Sequence, residues 1–170
     1  TVTAGDGTTT STYDRAGRLT AVDYSDTTPD VTYTYDNVGN RLTMVDGSGT
    51  QTRTYDNVNR LLTATRGTDV FSYVYDLAGN LTKRTYPGAV VTDYTYDVDD
   101  RMATAVNAAL TTTYAYDVAG NLVSTTLPTA NGHVETRVYD RSGRVTEVKN
   151  QKGATVLSKF VLTLDPVGNP

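Results

Sequence analysis

The sequence predicts an all-β protein built from tandem antiparallel β-hairpins, one in each repeat of roughly 20 to 21 residues. A Tyr-Asp pair recurs seven times along the 170-residue chain. Thr, Val and Tyr, which favour strands, are abundant, while Glu and Lys are scarce. A turn-forming residue stands four residues after each repeated Tyr. These Tyr residues are Tyr13, Tyr35, Tyr55, Tyr75, Tyr96, Tyr116 and Tyr139.

The residues that follow each Tyr predict a tight turn. Asp at the first position and Gly at the fourth are typical of a type I turn, and a left-handed fourth residue gives a three-residue hairpin loop with a bulge. The Asp side chain is expected to accept hydrogen bonds from backbone N–H groups of the turn. The repeated acids are Asp14, Asp36, Asp56, Asp76, Asp97, Asp117 and Asp140. The fourth position holds Gly17, Gly39, Asn59, Gly79, Asp100, Gly120 and Gly143, and a worn eighth copy has Leu164, Asp165 and Gly168.

A three-residue loop also fixes which residues face each other across the hairpin. Each repeated Tyr should face an aliphatic residue, a favourable cross-strand pair. The expected pairs are Tyr13 with Leu19, Tyr55 with Leu61, Tyr75 with Leu81, Tyr96 with Met102, Tyr116 with Leu122 and Tyr139 with Val145. In the second repeat Leu42 comes one position later, after Asn40 and Arg41. We therefore expect a loop one residue longer there.

A second row of tyrosines stands two residues before the first, on the same predicted strand face. It consists of Tyr33, Tyr73, Tyr94 and Tyr114. The other face then holds Thr, Val and Ala, and the returning strands end at Gly-rich turns. Sixteen strands in one sheet would accumulate enough twist to curl. A four-bladed β-propeller with two repeats in each blade is the alternative architecture.

Composition excludes several classes of site. The chain has no Cys and one His, so Cys-ligated zinc and multi-His sites are excluded. The formal charge is -4 and nothing in the sequence resembles a basic stripe of the kind that binds nucleic acid, which argues against that class of partner. We expect no cofactor, no metal site and no catalytic residue. No segment is apolar for long enough to span a bilayer, and the first residues show no signal-peptide pattern.

Two groups of residues could still suggest chemistry. Asp97, Asp99 and Asp100 form the densest acidic cluster, but they coincide with the repeated turn and lack a calcium-loop pattern. We interpret them as a degenerate turn. His133 lies in a long connection, and the spacing of the sequence suggests neither a nucleophile nor an orienting carboxylate that would complete a catalytic triad with it. We expect it to be an exposed loop residue.

The motif Tyr-Asp-x-x-Gly followed by Arg or Asn and then Leu resembles the RHS repeat family, also called YD repeats. The resemblance covers about Ser11 to Pro170 as a single array, 1–170, with about seven full repeats and the start of an eighth. Its departures are Asn59, Asp100, the residue added near Arg41, and Leu164 in place of Tyr. The family implies a strip of hairpins wound into a spiral shell, of which this chain would be a middle piece.

The resemblance also implies a role. The leading hypothesis is a non-enzymatic structural array in a secreted or cell-surface bacterial protein, whose shell encloses or presents a C-terminal toxin. The expected partners are the rest of the parent chain and the enclosed toxin. The alternative is an adhesion module that binds a surface glycan or protein through exposed Tyr and Thr faces, with the second Tyr row contacting the ligand. Unpaired terminal strands should favour self-association.

Overall fold

The computed structural model describes residues 2–4, 7–128 and 132–165. It contains sixteen strands, which confirms the all-β prediction. The first eight are β1 Val2–Ala4, β2 Gly7–Tyr13, β3 Leu19–Tyr24, β4 Val31–Tyr35, β5 Arg41–Asp46, β6 Gly49–Tyr55, β7 Leu61–Arg66 and β8 Asp69–Tyr75. The others are β9 Leu81–Tyr86, β10 Val90–Tyr96, β11 Met102–Asn107, β12 Leu110–Tyr116, β13 Leu122–Thr126, β14 His133–Tyr139, β15 Val145–Lys152 and β16 Thr155–Val161.

The strands form one sheet in chain order, and each strand hydrogen-bonds to its neighbours in the sequence. A propeller would require separate four-stranded sheets, so that alternative is wrong. Strand β1 was not expected, and it pairs with β2 in an additional hairpin. The chain divides into two compact units, which we call the N-terminal unit (Thr1–Val74 with Arg84–Val90) and the C-terminal unit (Tyr75–Lys83 with Val91–Pro170). The curl of the sheet stays a prediction.

The Tyr-Asp turns have the predicted three-residue loop. In the first, the Gly17 N–H donates to the Asp14 carbonyl at 3.0 Å, and the Asp14 N–H donates to the Arg18 carbonyl at 2.9 Å. Gly17 is left-handed, with φ of 77°. Asn59 and Asp100 take the same conformation, with φ of 66° and 58°. The same two hydrogen bonds close all seven turns between Asp14 and Arg144. The worn copy's Gly168 lies outside the described residues.

A β-bulge follows each of the turns whose register is determined. Tyr13 pairs with Leu19 and Thr12 with Ala21, so one extra residue, Thr20, lies on the returning strand. The predicted pairs of Tyr55, Tyr96, Tyr116 and Tyr139 with their aliphatic partners are confirmed, each beside a register shift. A bulge leaves a residue outside the regular ladder and increases the local twist.

The longer loop expected in the second repeat is wrong. Tyr35 pairs with Arg41, and the Asp36 N–H donates to the Asn40 carbonyl at 2.9 Å, as in the other turns. Loop length is set by the Asp and Gly hydrogen bonds, which are intact, and not by the identity of the facing residue. Arg41 simply occupies the position that is aliphatic in other repeats.

The sheet has two chemically different faces. On β4, Tyr33 and Tyr35 are half-buried, while the alternating residues Thr32 and Thr34 are exposed. We call these the Tyr face and the Thr face. Facing hydroxyls on the Thr face hydrogen-bond in pairs, at 2.6 to 2.7 Å: Thr34 with Thr43, Thr52 with Thr65, Thr54 with Thr63, and Thr95 with Thr104. Among residues 7–128 and 132–165 no hydrophobic side chain is fully buried.

The repeated tyrosines join each repeat to the preceding one. The Tyr35 hydroxyl donates to the Leu19 carbonyl at 2.7 Å, and the Tyr96 hydroxyl donates to the Leu81 carbonyl at 2.9 Å. Tyr55, Tyr116 and Tyr139 make equivalent bonds at 2.9 to 3.1 Å. For Tyr35, Tyr55, Tyr116 and Tyr139, the acceptor is the carbonyl of the residue that faces the preceding repeated Tyr at the bulge. The hydroxyl therefore satisfies a carbonyl where the ladder is interrupted.

This link predicts the effect of removing one hydroxyl. Burial raises the pKa of the Tyr96 phenol, with the Asp76 carboxylate adding to the shift, so the group remains a donor. Tyr96→Phe should lower the free energy of unfolding by about 1 kcal/mol, since the Leu81 carbonyl loses its partner. Tyr13→Phe is the control, because Tyr13 is 60% exposed. Urea titration measures both, and equal effects would contradict the role of the hydroxyl.

Candidate functional site

Both oxygens of each turn carboxylate take part in the turn itself. Asp14 Oδ1 accepts from the Ala16 and Arg18 N–H groups, both at 2.9 Å. Asp14 Oδ2 accepts from Arg18 Nε at 2.7 Å. Where the following residue is Asn, as at Asn121, the side-chain amide replaces the guanidinium and donates to Asp117 Oδ2 at 2.9 Å. Both oxygens of the carboxylate are therefore occupied by hydrogen bonds that close the turn.

These hydrogen bonds stabilise the charged form of the acids. Backbone and side-chain donation from the following Arg holds the pKa of Asp14 below its ordinary value. The Arg101 and Asn121 side chains, together with backbone N–H groups, lower the pKa of Asp97 and Asp117. Outside the repeated turns, the Ser48 hydroxyl and N–H lower the pKa of Asp46 to about 2, with a further contribution from Arg66.

The Arg residues after the turns also reach the next repeat. Arg18 Nη1 donates to the Asp36 carbonyl at 2.8 Å, and its guanidinium lies 4.9 Å from the centre of the Tyr35 ring. Arg101 stacks on Tyr116 in the same way, at 4.7 Å. One side chain thus binds the acid of its own turn and the aromatic ring of the following turn.

Asn is too short for that reach, and a different contact replaces it. Asn40 Nδ2 donates to Asn59 Oδ1, and Asn80 Nδ2 donates to Asp100 Oδ1, both at 2.8 Å. Asn59 and Asp100 are the two residues other than Gly at the left-handed fourth position of the seven Tyr-Asp turns. Where Arg follows a Tyr-Asp turn, the fourth residue of the next turn is Gly. Where Asn follows the turn, the fourth residue of the next turn has a side chain that can accept a hydrogen bond, except at Gly143. Sequence reasoning missed this rule, although the alternation of Arg and Asn was visible.

The acidic cluster is a turn, as interpreted from the sequence. Asp97 and Asp99 both contact Arg101 Nη2, at 2.7 and 3.2 Å, and Asp100 occupies the left-handed position. Within the described ranges, no group of three or more His, Cys, Asp or Glu side chains could hold a metal ion. No helix there is long and apolar enough to cross a membrane.

The second Tyr row lies on the Tyr face. Tyr33, Tyr73, Tyr94 and Tyr114 are all half-buried. Their rings share this face with the repeated tyrosines, which leaves the exposed hydroxyls of the Thr face on the opposite side. A ligand-contacting role for the second row stays a prediction.

The expectation that His133 is an exposed loop residue is wrong. It is the first residue of β14, pairs with Lys152 and is half-buried. The long connection before it ends earlier than expected, because the Leu127 N–H donates to the His133 carbonyl and extends the pairing. His133 lines a cavity of about 460 Å³ together with Glu135 and Arg137. Glu135 and Arg137 form an ion pair at 2.5 Å.

Comparison with known families accounts for the repeats. The RHS Repeat model matches residues 13–51, and the Teneurin YD-shell model matches residues 52–135. The chain belongs to the RHS repeat family. A comparison with curated protein sequences found no match.

Solved structures share the fold of this RHS chain. The crystal structure of TcdB2-TccC3 is similar with a TM-score of 0.59 at 16% identity, over 88% of this chain. The crystal structure of TcdB2-TccC3-Cdc42 gives a TM-score of 0.58 at 16% identity, over 91%. The chain spans 12% of the length of each of these chains. At this identity the likeness shows the fold alone.

The Asn pairing rule predicts a stabilising substitution. At Gly143 an added Cβ would lie 3.6 Å from Asn121 Oδ1, an ordinary contact. Asn tolerates the left-handed conformation better than most residues, and its side chain would accept from Asn121 Nδ2 as Asn59 accepts from Asn40. Gly143→Asn should therefore leave the chain more stable than Gly120→Asn by about 1 kcal/mol.

Gly120→Asn is the matched control because its neighbour is Arg101, which already pairs with Asp97 and Asp99. Both variants place Asn at a left-handed position, with φ of 74° and 89° in the parent chain. Melting temperatures and urea titration compare them directly. If Gly120→Asn proves as stable as Gly143→Asn, the rule is an accident of this chain.

The lowered pKa values predict loss of stability in acid. Because folding lowers the pKa of the turn acids, their charged form stabilises the folded chain above the ordinary Asp pKa of about 4. That contribution is lost as the pH falls through the lower folded values. We expect a melting temperature that is level from pH 7 to about 5 and falls between about pH 4 and 2. Asp97→Asn should melt lower at pH 7 and respond less to acid, whereas Asp23→Asn, on the exposed side of β3, should keep the parent profile.

Proposed function

We propose that this RHS chain is a wall segment of a larger shell that encloses or presents a C-terminal toxin or effector. The parent would be a secreted or cell-surface bacterial protein, and the partners of this segment would be the rest of that chain and its cargo. The observation that carries the proposal is the absence of a buried hydrophobic side chain in residues 7–128 and 132–165. A single-layer sheet is stable when the apolar side chains of its faces are covered by another part of the protein.

Exposed apolar residues at the turn tips support the same role. Five consecutive turns carry an exposed aliphatic residue at the first or the middle position of the three-residue loop. These residues are Val38, Val58, Leu77, Val98 and Val118, and they are 66 to 109% exposed. Exposed apolar residues in such regular series mark a contact surface. In a spiral wall, the turn tips of one winding would meet the next winding.

The chemistry of the repeats supports a non-enzymatic role. Each turn acid is held by donors of its own turn, and each repeated Tyr with a determined partner donates to a backbone carbonyl. These groups therefore link neighbouring repeats, so that stability is the sum of similar contacts along the array.

Adhesion is the second candidate, and the exposed Thr face favours it. Its paired hydroxyls offer donors and acceptors to a glycan or a protein surface. The second Tyr row, which is half-buried, would contribute only the outward edges of its rings.

Protease protection tests the shell. The array is expressed with the sequence that continues it in the parent, and cleavage of the downstream polypeptide is followed with time. We expect protection in the parent and rapid cleavage after Tyr96→Ala, which removes a link between repeats and an aromatic side chain worth about 3 kcal/mol. Val70→Ala, at a 43% exposed strand residue outside the turn tips, is the control. Equal cleavage of the downstream polypeptide in the parent and in Tyr96→Ala would contradict enclosure.

A further inference from the structure

Three arginines of the N-terminal unit break the repeat pattern on the Tyr face. Arg41 stands at the position that is aliphatic in other repeats, opposite the repeated Tyr. Arg53 takes the place of a second-row Tyr, two residues before Tyr55. Arg84 takes a position that holds apolar or small uncharged residues in the other repeats. All three replacements fall within consecutive repeats.

These three arginines are half-buried without an acidic partner, whereas the other arginines either form an ion pair or, like Arg15 and Arg141, are exposed. Six arginines form ion pairs with Asp or Glu: Arg18, Arg60, Arg66, Arg101, Arg137 and Arg144. Within the described part of the chain, no carboxylate lies within ion-pair distance of Arg41, Arg53 or Arg84. Their Nε atoms are buried and have no hydrogen-bond acceptor. Half-buried cations without an anionic partner, and with an unsatisfied N–H group, destabilise a fold unless an anion meets them.

One hydrogen bond, two strand pairings and two ring contacts place the three arginines beside one another on the Tyr face. Arg41 donates to Gln51, which precedes Arg53 by two residues on the same face of β6. Arg53 pairs with Ala64, and Ala64 pairs with Phe71. The Phe71 ring lies 6.0 Å from the Tyr86 ring, on which Arg84 stacks at 4.5 Å. We call the residues Arg41, Arg53, Phe71, Arg84 and Tyr86 the basic stripe.

We propose that the basic stripe binds an acidic polypeptide segment, one in which Asp or Glu alternates with apolar residues. The guanidinium forks match carboxylates in charge and in geometry. Five strands, β5 to β9, present the stripe, so it extends over roughly 20 Å at about 4.8 Å between strands. That length accommodates six or seven residues of extended chain.

The residues between the arginines favour a peptide over a uniformly charged polyanion as the ligand of the basic stripe. Ala64, Phe71 and Tyr86 interrupt the positive charge with apolar surface, which would meet the apolar side chains of a peptide. A uniformly charged polyanion, such as a sulfated polysaccharide, would place charged groups against these rings. The choice of a polypeptide partner rests on the proposed function, whereas the need for an anion does not.

Fluorescence anisotropy with the 170-residue chain tests the stripe. The probe is a labelled ten-residue peptide in which Glu alternates with Leu, and its control has Gln in place of each Glu. We expect saturable binding of the Glu peptide that weakens with salt, and no binding of the Gln peptide. Arg53→Gln combined with Arg84→Gln should weaken binding about tenfold or more. Arg15→Gln combined with Arg141→Gln removes the same charge from two exposed turns and should change affinity less than about twofold.

Further measurements separate binding from folding. Arg53→Met should melt at the parent temperature or above it, because a half-buried cation without a partner is replaced by an apolar side chain. A lower melting temperature would show that Arg53 is structural and overturn the proposal. Equal losses of affinity in the two double variants would also overturn it, as would preferential binding of a sulfated polysaccharide. Protease protection without peptide binding would refute the stripe alone and leave the shell intact.

Discussion

The carboxylate of the repeated Asp is the group on which the rest of the structure depends. It accepts from two backbone N–H groups and from the following Arg or Asn, which closes the loop at three residues. A loop of fixed length places the bulge, and the bulge places the carbonyl to which the next Tyr donates. When Arg41 replaced an aliphatic residue, the register did not move, because none of these bonds involves that side chain.

Stability in this RHS array is a property of neighbouring repeats. A repeat has no core of its own among the described residues. Neighbouring repeats are joined by a Tyr hydroxyl, and several of them also by a stacked Arg or a paired Asn. Each such bond contributes on the order of 1 kcal/mol, so many similar contacts replace a few large ones. This design suits a wall, which can be extended by further copies of the same unit.

Departures from the repeat fall into two physical classes. Asn59 and Asp100 depart from Gly but gain a hydrogen bond from the preceding Asn, so they are compensated within the array. Arg41, Arg53 and Arg84 depart from uncharged residues and leave buried Nε atoms without an acceptor. A compensated departure belongs to the architecture, while an uncompensated one points to a partner outside it. The basic stripe follows from that distinction.

The sequence by itself determined the period, the turn type and the residues that face Tyr13, Tyr55, Tyr96, Tyr116 and Tyr139. These features depend on bonds within a single hairpin. The prediction from the sequence that the acidic cluster at Asp97 forms a turn is also confirmed. Only the tertiary structure decided that His133 begins a strand, and that the second turn has the ordinary length. The sequence also did not predict that Arg stacks on the next repeated Tyr, that Asn pairs with the fourth residue of the next turn, or that Arg53 lacks a partner. All three depend on contacts between residues some 20 positions apart, which strand pairing brings together and which no local pattern records.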